Sequence, residues 1–200
     1  MVVACDVDGT LTRRDCVVPF LREVAGTRRL VGTLGRRPDR LTTALARRDR
    51  DTLKALAVRA TFAGRREADI EVLGERFAER VAAAWLRDDV VEQLRGHAAG
   101  GAEVVLVSAS FEAYLRPLAR MLELDDVIGV RLAATDGVLT GELDGWNTRG
   151  PEKVRRLGRW LDERHGGRRH VELVAYGDSV GDRELLADAD IAHWVGRYRP

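Results

Sequence analysis

From residue 88 onward, short β-branched runs alternate with segments in which apolar residues recur every three or four positions. The runs predict strands at residues 103–107, 172–176 and 191–195, and the periodic segments predict helices at residues 89–99, 111–122, 151–164 and 182–187. An earlier apolar run at residues 2–5 has the same strand-like character. Strands that are apolar throughout and separated by helices are typical of a parallel sheet covered on both faces. The sequence therefore predicts an α/β fold.

Residues 13–87 follow a different pattern, in which apolar residues at helical spacing alternate with arginines and acids and no run resembles a strand. Breaks at Gly32, at 35–38 and at Gly64 predict three to five helices. We therefore predict a core formed by residues 1–12 and 88–200, with a helical cap of residues 13–87 inserted after the first strand. Within the core, residues 127–132 and 138–143 predict a hairpin.

The charge is divided unevenly between these two parts. The whole chain has 33 basic and 32 acidic residues, a net charge of +1, which gives no reason to expect nucleic acid as a partner. Residues 13–87 hold 18 basic and 10 acidic residues, so the predicted cap carries +8 and the remainder carries −7.

Membrane insertion and secretion are also not expected. Apolar stretches such as 104–107 fall far short of the roughly 18 residues of a membrane-spanning helix. The first residues lack the pattern of a signal peptide. Cys5 and Cys16 are the only cysteines and form no CxxC motif, so a reduced, cytoplasmic compartment is expected.

Polar residues follow the predicted strands at one edge of the sheet, where ligands bind in open α/β folds. These residues are Asp6, Asp8, Ser108, Ser110, Asp178 and Asp182, and Lys153 lies on the helix before the last two. Four carboxylates at one edge would repel each other unless a cation lay among them, and an all-oxygen donor set favours Mg²⁺. With a hydroxyl and an ammonium, the set has the groups that phosphoryl transfer requires.

Taken singly, each of these residues has an ordinary explanation. An aspartate or serine after a strand is more often a turn or helix cap, and a helical lysine is usually solvated. The chain has only two lysines, Lys54 and Lys153, among 33 basic residues. Lys54 is expected to lie outside the site and to serve as a control for Lys153.

The motifs resemble those of the haloacid dehalogenase (HAD) phosphohydrolase superfamily. The run DVDGTLT at 6–12 is similar to the family signature DxDGT(L/V)T, Ser108 to its second motif, Lys153 to its third and GDSVGD at 177–182 to its fourth. The inserted cap is similar to that of the phosphoserine phosphatase-like branch, subfamily IB. The resemblance implies a HAD-like Rossmannoid parallel sheet with an inserted helical cap.

The resemblance also implies roles for individual residues. Asp6 would attack phosphorus and form an aspartyl-phosphate, and Asp8 would act as general acid and then general base. Ser108, Ala109 and Lys153 would bind the phosphoryl group.

The implied Mg²⁺ ligands are Asp6, the backbone carbonyl of Asp8, and Asp178, with Asp182 completing the acidic shell. Asp15 stands where phosphoserine phosphatases carry a glutamate that binds the substrate ammonium, and Arg59 is a further candidate for contacting the substrate. Gly181 stands where those enzymes carry asparagine.

These observations predict a Mg²⁺-dependent phosphomonoesterase acting on a small phosphorylated molecule. A phosphotransferase would use the same residues. A lipid-phosphate phosphatase acting on a lysophospholipid is an alternative to a sugar phosphatase, because the basic and apolar stretch at 28–37 is suited to a phospholipid headgroup. A non-catalytic module phosphorylated on Asp6 is a further alternative, although such a module needs neither Asp8 nor a cap.

Overall fold

The computed structural model describes residues 1–26 and 50–196. Within these ranges the strands are β1 (Val2–Cys5), β2 (Glu103–Phe111), β3 (Asp126–Thr135), β4 (Val138–Asp144), β5 (Leu173–Gly177) and β6 (Ile191–Trp194). The α-helices of the described residues are α1 (Val17–Ala25), α2 (Arg50–Phe62), α3 (Glu67–Ala84), α4 (Asp88–Ala99), α5 (Glu112–Met121), α6 (Pro151–His165) and α7 (Arg183–Asp188). Short 3₁₀ turns cover Arg168–His170 and Val180–Asp182.

The six strands form one sheet in the order β4-β3-β2-β1-β5-β6, and only β4 runs antiparallel to its neighbour. β1 lies between β2 and β5, and all four of its side chains are fully buried. This burial explains why its sequence is apolar without alternation. The predicted α/β fold with a mostly parallel sheet is confirmed.

Strand β2 is longer than its sequence predicts. It continues past Val107 to Phe111, and its pairing with β3 shifts register in that interval. Ser108 and Ser110 therefore belong to the end of the strand, and helix α5 begins only at Glu112. Both serines are buried although they are polar. Their polarity interrupts the apolar pattern by which a buried strand is recognised in a sequence.

Helices α1, α2 and α3 lie in the chain between β1 and α4, and we call them the insert helices. The two chain segments that connect them to the sheet run side by side: Arg13 N donates to Trp85 O at 2.8 Å, and Arg87 N donates to Leu11 O at 2.9 Å. The stretch at 28–37, for which a phospholipid contact was considered, lies outside the described residues.

An aromatic cluster packs the insert helices against the sheet. The ring of Phe20 in α1 lies 5.2 Å from Phe77 of α3, 4.9 Å from Tyr114 of α5 and 6.0 Å from Phe111 of β2. A second attachment is made by the hairpin, where Gly64 N donates to Leu139 O at 2.8 Å. These contacts hold α1 and α2 beside the carboxyl ends of β1 and β2. Within residues 1–26 and 50–196, no helix has the length and apolar character needed to cross a bilayer.

Candidate active site

The centre of the site is a buried ion-pair group at the end of β1. The Lys153 ammonium lies 2.5 Å from Asp6 Oδ1 and 2.6 Å from Asp182 Oδ1, and the lysine is only 2% exposed. Pro151, at the start of α6, places Lys153 on the first turn of that helix. Burial alone would lower the pKa of Lys153, but Asp6 and Asp182 raise it above its usual value. The lysine is therefore a fixed positive charge.

Asp182 is oriented by the turn that precedes α7. Its Oδ2 accepts hydrogen bonds from the backbone N–H of Ser179 at 3.1 Å and from the Ser179 hydroxyl at 2.8 Å. The Ser179 side chain accepts in turn from Gly181 N, which completes a capping box. Because Oδ2 is occupied in this way, Oδ1 is the oxygen that pairs with Lys153.

Three carboxylates in this region are arranged as a divalent cation would require. Oxygen atoms of Asp6, Asp178 and Asp182 lie within 4.8 Å of one another. The backbone approaches closely at Gly9, where a Cβ would lie 2.3 Å from Asp178 Oδ2 and φ is +88°. One ammonium from Lys153 does not balance three carboxylates, and the donor set is entirely oxygen. These residues therefore fit a hard divalent cation such as Mg²⁺.

Asp8 forms its hydrogen bonds with groups outside this acidic cluster. Its Oδ1 accepts from the backbone N–H of Cys16 at 2.8 Å, and its Oδ2 accepts from the Ser110 hydroxyl at 2.6 Å. Burial raises the pKa of Asp8 above its usual value, and the bond from Ser110 opposes that rise. A raised pKa makes the protonated form of this carboxyl group more accessible, as a group that exchanges a proton requires.

Ser108 and Ala109 line the same cavity as Asp6. The Ser108 hydroxyl is buried at the end of β2 and accepts a hydrogen bond from Ser110 N at 3.2 Å. The cavity has a volume of about 480 Å³ and is also lined by Asp8, Lys153, Asp178 and Asp182. A separate cavity of about 530 Å³, between α3, α5 and the β3–β4 hairpin, contains none of these residues.

The expectation that Lys54 lies outside the site is wrong. Its ammonium donates to the backbone carbonyl of Ala109 and, at 2.7 Å, to Asn147 Oδ1, while Asn147 Nδ2 donates to Asp51 Oδ1 at 2.7 Å. Burial lowers the pKa of Lys54 to about 8, although Asp8 and Asp51 oppose the change. The rarity of lysine in this arginine-rich chain, which drew attention to Lys153, was a signal for Lys54 as well.

The two further substrate candidates are placed differently. Asp15 lines the cavity, and its Oδ1 accepts from Val18 N at 3.0 Å. The Arg59 side chain is 69% exposed, its guanidinium lies 3.9 Å from Glu142 of β4, and it does not line the cavity. We therefore do not place Arg59 in the site. It lies on the α2 surface that faces the hairpin rather than the sheet edge.

The side chain of Arg149 lies beside Gly181, in the space that a larger residue at position 181 would need. The Nε atom of Arg149 would lie 3.2 Å from a Cβ at Gly181, and Arg149 itself lines the cavity. Sequence reasoning did not select Arg149. A single arginine among 31 in the chain carries no distinguishing signal in the sequence.

Comparison with known proteins identifies the family of the chain. Residues 3–187 match the family described as haloacid dehalogenase-like hydrolase. The chain belongs to the haloacid dehalogenase-like hydrolase family. It is 44% identical over 196 residues to protein CicA of Caulobacter vibrioides, covering 95% of this chain and 83% of that protein. It is 29% identical over 191 residues to a phosphoserine phosphatase of Streptococcus thermophilus, covering 95% of this chain and 81% of that enzyme.

Solved structures share the fold of this chain. A protein of unknown function from Bordetella pertussis superposes with a TM-score of 0.74 at 23% identity, covering 96% of this chain and 87% of that one. A phospho-aspartyl intermediate analogue of phosphoserine phosphatase superposes with a TM-score of 0.61 at 20% identity, covering 96% and 84%. These comparisons confirm the predicted family and its phosphoserine phosphatase-like branch. They also confirm the prediction that the chain is a phosphatase enzyme.

Proposed function

We propose that this haloacid dehalogenase-like hydrolase is a Mg²⁺-dependent phosphomonoesterase that acts on a small phosphorylated molecule through an aspartyl-phosphate. The observation that carries the proposal is the buried Lys153 ammonium, which lies between Asp6 and Asp182. Beside it, Asp178 supplies a third carboxylate to the cluster. Asp6, the proposed nucleophile, would then act next to both a fixed positive charge and a set of proposed metal ligands.

The two carboxylates of the first motif divide the chemistry between them. In the first step, an oxygen of Asp6 forms a bond to phosphorus while the ester P–O bond breaks, and Asp8 gives its proton to the departing alkoxide. In the second step, Asp8 takes a proton from water as that water attacks phosphorus, which releases inorganic phosphate and restores the Asp6 carboxylate. The separate hydrogen bonding of Asp8, to Cys16 and Ser110, supports this division.

The remaining groups would hold the phosphoryl oxygens and the cation. The Ser108 hydroxyl, Ala109 N–H and Lys153 ammonium are the proposed phosphate contacts. Asp6, Asp178 and the Asp8 carbonyl are the proposed Mg²⁺ ligands, with Asp182 in support. The cation, when bound, would neutralise charge that develops on the phosphoryl oxygens.

The division into a core of residues 1–12 and 88–200 and a cap of residues 13–87 is part of the proposal. The backbone hydrogen bonds of Arg13 with Trp85 and of Arg87 with Leu11 support these boundaries, because the two connections meet there. We also propose a cytoplasmic location, which is supported by two free, buried cysteines.

The nucleophile is tested by Asp6→Asn. Because an amide does not attack phosphorus, we expect hydrolysis of phosphate monoesters to fall at least a thousandfold, about 4 kcal/mol in the activation barrier. Asp89→Asn, an exposed change on α4, is the matched control and should keep wild-type activity. If Asp6→Asn keeps a tenth of the wild-type rate, the proposal is overturned.

The same assay separates the alternatives. A hydrolase releases one inorganic phosphate for each alcohol formed, whereas a phosphotransferase yields a new ester when a second alcohol is present. A non-catalytic module would become phosphorylated on Asp6 and release no phosphate. We expect phosphate and alcohol in equal amounts, at many turnovers for each protein molecule.

A further inference from the structure

The wall of the active-site cavity that the insert helices provide is mainly apolar. From α1 it includes Val17, Val18 and Leu21, and from α2 it includes Leu53 and Ala57. The opposite wall is mainly charged and polar, and its residues are Asp6, Asp8, Ser108, Ala109, Asn147, Arg149, Lys153, Asp178, Ser179, Gly181 and Asp182. The cavity therefore has one charged side and one apolar side.

The charged side is the place for the phosphoryl group, so the alcohol part of a bound ester faces the apolar side. A polar or zwitterionic alcohol part would lose its hydration there and would need partners in exchange. Among the described residues, the charged groups on this wall are Asp15 and Lys54. Asp15 already accepts from Val18 N, and Lys54 already donates to Ala109 O and Asn147 Oδ1.

Building on the function proposed above, we propose that the substrate is a phosphate monoester whose alcohol carries an apolar chain or ring, and that this group lies against Val18, Leu21 and Leu53. Burial of apolar surface then supplies binding energy that depends on the size of the alcohol. Specificity resides in the insert helices, whereas the reaction takes place on the sheet edge.

A homologous series of esters tests the substrate class directly. We would measure kcat/KM with Mg²⁺ for n-alkyl phosphates from ethyl to octyl, together with glycerol phosphate and O-phosphoserine. We expect kcat/KM to rise by about two- to fourfold for each added methylene until the wall is covered. Hexyl phosphate should exceed O-phosphoserine by at least tenfold.

The outcomes against the proposal are distinct. A flat series, or O-phosphoserine as good a substrate as hexyl phosphate, would overturn the apolar substrate class while leaving the phosphomonoesterase in place. If no ester in the panel is hydrolysed, the phosphomonoesterase is overturned and the substrate class with it.

Two exposed valines provide a matched pair of variants. Val18 is 46% exposed and lines the cavity, whereas Val72 on α3 is 49% exposed and does not. We expect Val18→Ser to reduce the ratio of kcat/KM for hexyl phosphate to that for ethyl phosphate by about threefold or more. Val72→Ser should leave the ratio unchanged.

Leu53→Ser is the second cavity variant, and its thermal unfolding would show whether it folds. An unchanged ratio in both Val18→Ser and Leu53→Ser, or an equal fall in Val72→Ser, would overturn the assignment of the apolar wall.

Discussion

Two ammonium groups reach the cavity from different parts of the chain, and their surroundings differ. Lys153 lies between the carboxylates of Asp6 and Asp182, which fix its positive charge. Lys54 instead contacts a backbone carbonyl and an amide oxygen, and burial brings its pKa down to about 8. One lysine is permanently charged, and the other changes its charge within an accessible pH range.

The position of Lys153 accepts an ammonium group but not a cationic group of another shape. A guanidinium is wider than an ammonium and spreads its charge over a plane, so it does not fit between two carboxylates at 2.5 and 2.6 Å. We expect Lys153→Arg to lower kcat by about tenfold or more, at least roughly 1.4 kcal/mol in the barrier. Arg155→Lys, an exposed change on the same helix, is the control and should leave kcat unchanged. Lys54→Arg does not serve as the control, because Lys54 lines the cavity. Equal kcat for the two variants would contradict the role of Lys153.

The titration of Lys54 predicts that substrate binding depends on pH. Lys54 is protonated below about pH 8 and becomes neutral as the pH rises through that value. We therefore expect the KM for a phosphate monoester, which is already a dianion there, to increase above pH 8. Lys54→Arg should keep KM flat to higher pH because arginine stays charged. A wild-type KM that is flat from pH 7 to 9.5 would contradict this.

At the scale of the elements, helices α3 and α5 approach each other closely at Gly74. A Cβ on this residue of α3 would lie 2.0 Å from the Ala113 carbonyl of α5. Gly74→Ala forces the two helices apart, and we expect a loss of roughly 1–3 kcal/mol in the free energy of unfolding.

Gly96 on α4 is the matched control. It has nothing within 4 Å of a Cβ, so Gly96→Ala should increase stability by about 0.5–1 kcal/mol. Urea denaturation measures both changes. An unchanged midpoint for Gly74→Ala would show that α3 and α5 are not packed as described.

The elements also show what the sequence can predict. β1 was recognisable because burial on both faces requires an apolar residue at every position. The end of β2 was not, because Ser108 and Ser110 are polar residues that are nevertheless buried, and Ser110 donates to Asp8 there. Lys54 was missed because helical periodicity identifies the face on which a residue lies, not what covers that face. The order of the motifs, in contrast, selected residues that the structure brings together around one cavity.

At the scale of the whole molecule, three carboxylates held close together predict a thermal effect of the cation. A ligand that binds only the folded state at 100 times its Kd adds about 2.7 kcal/mol to stability. For a domain of this size we expect Mg²⁺ to raise Tm by roughly 5–10 °C over a NaCl control of equal ionic strength. In Asp178→Asn most of that rise should disappear. An equal rise in both proteins would mean that Mg²⁺ binds elsewhere.

Backbone hydrogen bonds join the insert to the rest of the molecule at two separate places. One is the paired backbone around Leu11 and Trp85, and the other is the hydrogen bonding between Gly64 and Leu139 of the hairpin. Side-chain packing holds the insert as well, through the ring of Phe20 against Phe111 and Tyr114 and through the close approach of Gly74 to Ala113. A movement that widened the cavity would have to break this packing together with the hydrogen bonds, so the space between the apolar wall and the sheet edge is set by the folded core and not by the substrate.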